Sequence, residues 1–199
     1  TGPTLSPDGR WIAYSSDRSG QFEIYLRPLD GQSQELQVTN DGGPNVEAAW
    51  SPDGKWIAYH CVARGGICMI PSMGGTVREL ASRGSQPAWS PDSKKLVFRG
   101  ASLISLSPFD LFGVLPYGFT ILDIETGEKR EFRDSHGNRS IPTWSRDDKW
   151  IVYSALPFQG RSRLAALRLR DGKTQELLEV DGLASAVCFS PDGRRLYFT

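Results

Sequence analysis

Ser51-Pro52-Asp53-Gly54-Lys55-Trp56-Ile57-Ala58-Tyr59 decides the fold, because the chain repeats it. Ser6-Pro7-Asp8-Gly9-Arg10-Trp11-Ile12-Ala13-Tyr14 is nearly the same string. Looser copies run from Ser90 to Phe98, from Ser145 to Tyr153 and from Ser190 to Phe198. The copies start at 6, 51, 90, 145 and 190, so the spacings are 45, 39, 55 and 45. A period in this range, carried by strand-like segments, is the signature of a β-propeller array.

The motif reads as a tight turn feeding a strand. Proline in second place presets φ for the first central turn residue. Aspartate in third place accepts hydrogen bonds from nearby backbone N–H groups. Glycine in fourth place tolerates positive φ. Asp148 and Ser93 stand there in two copies, and aspartate is among the side chains that best accept left-handed backbone. In the strand that follows, Ile12, Ile57, Leu96, Ile151 and Leu196 alternate with Tyr14, Tyr59, Phe98, Tyr153 and Phe198, a period of two. The residues between them (Ala13, Ala58, Val97, Val152, Tyr197) are apolar too, so both strand faces are expected to be buried.

Between copies the same events recur. A large aromatic closes the strand before the turn: Trp50, Trp89, Trp144 and Phe189, with Leu5 in that place in the first copy. After the motif strand come a polar turn, an apolar strand, a glycine-bearing hairpin turn (Asp30-Gly31, Gly74-Gly75, Glu125-Thr126-Gly127, Asp171-Gly172) and a last strand. This gives four strands per repeat, a, b, c and d, with repeats at about 5–50, 51–89, 90–144 and 145–189 and a partial one at 190–199. The expected fold is all-β, a β-propeller of four-stranded antiparallel blades. It forms a single domain or propeller segment of about four blades plus part of a fifth. The first and last motif strands leave such a ring unable to close, so the expectation is a segment of a six- to eight-bladed propeller.

Lys plus Arg and Asp plus Glu both count 23 in 199 residues, so no net charge draws nucleic acid or an anionic membrane. The most apolar stretch, Leu103 to Leu122, is broken by Pro108, Asp110, Gly113, Pro116 and Gly118 and does not read as a bilayer-spanning helix.

These motif copies resemble the TolB-type propeller repeat, a WD-repeat-like unit opening on Ser-Pro-Asp-Gly. The resemblance covers essentially the whole chain. It implies a propeller used mainly for binding, as the sensor or protein-interaction region of a larger bacterial protein. It also implies a periplasmic or extracytoplasmic setting. The alternative it carries is a propeller accompanying a separate prolyl-oligopeptidase-like hydrolase domain. Fold alone does not choose between these.

The chemistry-bearing residues are few. There is no Gly-x-Ser-x-Gly elbow, phosphate loop or dinucleotide fingerprint, so the expectation is a non-enzymatic chain without cofactor. His60, Cys61 and Cys68 match no zinc spacing, and no metal site is expected. With Arg64-Gly65 as a two-residue turn, Cys61 would face Cys68. Opposed Cβ atoms about 4.5–5.5 Å apart favour two thiols in contact over a disulfide. Cys188, beside Phe189, reads as a buried small hydrophobe. In a propeller the b–c and d–a loops share one face, and here they are the less regular ones. Near the axis they offer Asn40, Asp41, Asn45, Glu47, Arg83, Gln86, His136, Asn138 and Arg139 as a rim for a protein or small ligand. A second candidate surface is the apolar insertion from Arg99 to Tyr117, with Phe109, Phe112 and Tyr117.

Overall fold

The computed structural model describes residues 2–100, 118–133, 142–155, 161–182, 184, 187–190 and 192–198. Among them regular structure is β-strand, apart from one 3-10 turn at Val62–Arg64. The first sheet holds β1 (Thr4–Leu5), β2 (Trp11–Ser16), β3 (Glu23–Pro28) and β4 (Leu36–Gln37). The second holds β5 (Asn45–Trp50), β6 (Trp56–Cys61), β7 (Gly66–Pro71) and β8 (Arg78–Ala81). The third holds β9 (Ser85–Trp89), β10 (Lys95–Gly100), β11 (Gly118–Asp123) and β12 (Lys129–Arg133). The fourth holds β13 (Thr143–Trp144), β14 (Trp150–Ala155), β15 (Arg161–Arg168) and β16 (Thr174–Asp181). β17 (Val187–Phe189) and β18 (Leu196–Phe198) pair alone. In every sheet neighbours follow chain order, so each repeat is one meander.

The five turns share one hydrogen-bond scheme. In the second copy Gly54 N–H donates to the Ser51 carbonyl at 2.9 Å. The Ser51 hydroxyl donates to Asp53 Oδ1 at 2.6 Å and accepts from Trp56 N–H at 2.9 Å. Asp53 Oδ1 also accepts from Lys55 N–H at 3.1 Å. The other four copies repeat the serine–aspartate bond at 2.5–2.6 Å. The fourth residue is left-handed in every copy: φ is 70° at Gly9, 74° at Gly54, 61° at Ser93, 57° at Asp148 and 71° at Gly193.

The chain divides into two compact units, Thr1–Leu96 with Asp123–Gly127 and Val97–Leu122 with Glu128–Thr199. In the first, Ala13, Ile24, Leu26 and Val38 of the first repeat pack on Ile57, Tyr59, Cys61, Cys68 and Ile70 of the second. In the second, Val152, Leu164, Ala166, Ala184 and Val187 form one core cluster, and Phe119 meets Tyr153 edge to face at 4.9 Å. Strand b is buried on both faces in the three middle copies. In the last copy Tyr197 and Phe198 are exposed, because β18 has β17 on one edge and no described strand on the other.

Four expectations change. Trp89 and Trp144 are buried, but Trp50 and Phe189 are half-buried. Trp89 lies against β5 and donates Nε1–H to the Ala49 carbonyl at 3.0 Å, whereas Trp50 packs at the margin of the core cluster of the first two repeats and its Nε1–H has no protein partner among the described residues. Cys188 is exposed. Arg99 and Gly100 belong to β10 rather than to an insertion. The rest of that insertion, with Phe109, Phe112 and Tyr117, lies outside the described residues. Finally, Cys61 and Cys68 are a disulfide, not two thiols. The 3-10 turn lengthens the β6–β7 connection, so Cys61 pairs with Gly66 and Tyr59 with Cys68. The cysteines are thus diagonal neighbours, with Cα atoms 5.8 Å apart, inside the range a disulfide accepts. Gly66 is required here, since a Cβ would lie 1.8 Å from the Ala81 carbonyl oxygen.

Candidate functional site

The loops between β4 and β5, between β6 and β7 and before β9 assemble the rim. The β5–β6 ladder shifts register between Val46 and Ala49. Within that bulge Glu47 has φ 60°, and Gln86, likewise three residues before its tryptophan, has φ 55°. Left-handed backbone costs a non-glycine residue about 1–2 kcal/mol. Bulges re-aim side chains, and strain of this kind gathers at binding and catalytic sites. Here the Glu47 carboxylate reaches the next repeat: Oε2 accepts Gln86 N–H at 2.7 Å. His60 Nδ1 stands 3.6 Å from the same oxygen.

A second network lies two residues away on β5, at Asn45. Glu23 opens β3 and is only 3% exposed. Its Oε2 accepts from the Thr39 hydroxyl and, at 2.8 Å, from Asn45 Nδ2. Asn45 Nδ2 also donates to Asp41 Oδ1 at 2.6 Å, so one buried amide bridges two carboxylates. Arg64 Nη2, from the 3-10 turn, stands 3.5 Å from Asp41 Oδ2. The turn is seated on the β4–β5 loop by Val62 N–H donating to the Pro44 carbonyl at 2.9 Å. Gly43 makes the fit possible, because a Cβ there would lie 2.5 Å from that of Ala63. Tyr59 of β6 is fully buried and its hydroxyl has no protein partner among the described residues. Burial first, then the charge of Asp41, hold its phenol well above the ordinary tyrosine value, with Arg64 opposing and Glu23 adding to the rise.

Of the expected rim, the structure joins Asp41 to Asn45 and Glu47 to Gln86. Asn40 and Arg83 are exposed and contact none of these residues through a hydrogen bond or ion pair among the described residues. His136, Asn138 and Arg139 lie outside the described residues. Glu23, Thr39, Tyr59 and Arg64 were not among the expected rim residues. The signal for Glu23 was a carboxylate set in the apolar run Phe22-Glu23-Ile24-Tyr25-Leu26. Among the described residues no three His, Cys, Asp or Glu side chains cluster as metal ligands. No helix among them is long and apolar enough to cross a membrane.

The family model described as TolB beta propeller domain matches residues 1–106. A Tol-Pal system protein TolB from Francisella tularensis subsp. mediasiatica is 30% identical over 91 residues, 45% of this chain and 20% of that protein. The crystal structure of TolB from Acinetobacter baumannii superposes with a TM-score of 0.77 at 21% identity, over 98% of this chain and 47% of that one. The structure of a putative TolB from Agrobacterium tumefaciens gives 0.74 at 21% identity, over 98% of this chain and 73% of that one. The chain therefore spans about half of the Acinetobacter protein, and its match to the Francisella protein covers a fifth of that protein.

Proposed function

Since the chain belongs to the TolB β-propeller domain family, we propose that it is a non-catalytic binding propeller that docks a protein partner on its b–c and d–a loops. The observation that carries this reading is the pair of left-handed residues Glu47 and Gln86, linked to each other across successive repeats. Solvated loop residues do not need such strain, whereas a surface held ready for a partner gains from it by losing less entropy on binding. The rim combines carboxylates, amides and a guanidinium rather than an apolar cavity, which suits a polar protein surface.

The setting we propose is extracytoplasmic, as the interaction or sensor region of a larger bacterial protein. The Cys61–Cys68 disulfide supports it, because such bonds persist in oxidising compartments. Alkylation of protein taken directly from cells should label Cys188 at once and the other two only after reduction. Labelling of all three without reductant would remove that support.

The docking face is tested by photocrosslinking. A photoreactive residue at Gln86 or Asn40 should capture the partner in cells that make the protein. The same residue at Lys55, on the opposite turns, should not. Equal capture at both ends, or capture at Lys55 alone, would overturn the assignment.

A further inference from the structure

Glu23 is a nearly buried carboxylate with no cationic partner among the described residues. Acidic side chains are almost never fully buried without a paired charge. Its oxygen Oε2 and Asp41 Oδ1 share the Asn45 amide, so the two carboxylates lie within two hydrogen-bond lengths of each other. Tyr59 adds a buried hydroxyl that meets no protein partner, in the field of Asp41, Arg64 and Glu23. A buried polar atom of this kind is uncommon, and a bound polar group is one way to satisfy it.

We propose that Glu23, Asp41 and Tyr59 seat a primary ammonium group, the side chain of a lysine presented by a protein partner. The proposal rests on the reading of this face as the docking surface. An ammonium has three N–H donors, and the cluster offers three acceptor groups: two carboxylates and the phenol oxygen. Charge-assisted hydrogen bonds to carboxylates are the strong ones, and they gain further where water is excluded. A bare metal ion fits less well, because Asn45 turns its donor Nδ2, not its carbonyl, toward both carboxylates. Arg64 stands in for the ligand at the entrance. Its guanidinium makes a single 3.5 Å contact with Asp41 and its side chain is 42% exposed. That is a weak pair, and an incoming lysine can displace it.

The test is an NMR titration of the protein with the capped peptide acetyl-Gly-Lys-Gly-amide. The controls are the same peptide carrying acetyl-lysine and tetramethylammonium chloride at equal ionic strength, neither of which has an ammonium N–H to donate. The lysine peptide should shift the Asn45 side-chain amide saturably, and the controls should not. Glu23→Gln should weaken binding about tenfold or more, the effect of losing one charge-assisted bond. If Glu23→Gln fails to fold, Tyr59→Phe decides, since it removes only an unpartnered hydroxyl and keeps the ring packed; it too should weaken binding. Arg64→Ala should tighten it by removing the competitor. No saturable shift, an equal shift with acetyl-lysine, or binding unaffected by Tyr59→Phe overturns the proposal. If photocrosslinking at Gln86 still captures the partner while the peptide fails, the docking face stands and only the lysine site falls.

Discussion

Asp8, Asp53, Asp92, Asp147 and Asp192 each accept the hydroxyl of the serine two residues before and the backbone N–H two residues after. All five titrate below the ordinary aspartate value of 3.8. At Asp53 and Asp92 burial is the largest single influence and pushes upward, but the hydroxyl and N–H donors together outweigh it. A depressed carboxylate favours the folded state above its unfolded value, and that contribution is lost as pH falls through the folded value. Stability is therefore expected to fall with pH below 3.8, and Asp53→Asn should flatten its share of that slope. An acid titration read by tryptophan fluorescence checks this; identical slopes for the variant and wild type would contradict it. Ser93 gives a second expectation. At φ 61° its hydroxyl accepts Asp53 N–H at 3.0 Å. Glycine and alanine both lose that bond, but only glycine relieves the backbone, so Ser93→Gly should be more stable than Ser93→Ala by roughly 1 kcal/mol. Thermal melts of the two settle the order. The left-handed fourth position was legible because three of five copies place glycine there. The disulfide was not, because nothing in Ala63-Arg64-Gly65 announces a 3-10 turn, and two residues of register decide which side chains meet.

Strands were legible wherever period two ran unbroken, as in β6, β10 and β14. The closing aromatics of strand a were legible as a column, but not their unequal burial, which depends on what each finds in the repeat before it. Trp89 finds a full strand and a carbonyl acceptor in β5. Trp89→Ala should cost about 3–5 kcal/mol, by lost burial and an unfilled cavity. Trp50→Ala should cost less, since Trp50 is half-buried and makes no Nε1–H bond to lose. Denaturant melts of both variants test the order, and equal losses would contradict the unequal burial of the two rings. The bulge in β5 escaped the sequence for a plain reason. Glu47 and Gln86 adopt backbone that glycine normally signals, and neither is glycine.

At the scale of the chain, repetition made the fold readable while hiding the site. Glu23, Asn45, Tyr59 and Arg64 belong to four different segments, and only the folded chain gathers them. The even charge count gave no sign of an acidic cluster on one rim, because a sum over 199 residues is blind to position. The strained rim also leaves a mark that a library can detect. Gln86→Gly keeps the N–H that Glu47 holds, relaxes the backbone and deletes the side chain. In a library of single substitutions sorted once for thermal endurance and once for partner capture, glycine at position 86 should rise in the first ranking and sink in the second. Most positions move the same way in both sorts. Those that part company, found without any knowledge of the partner, would trace its footprint.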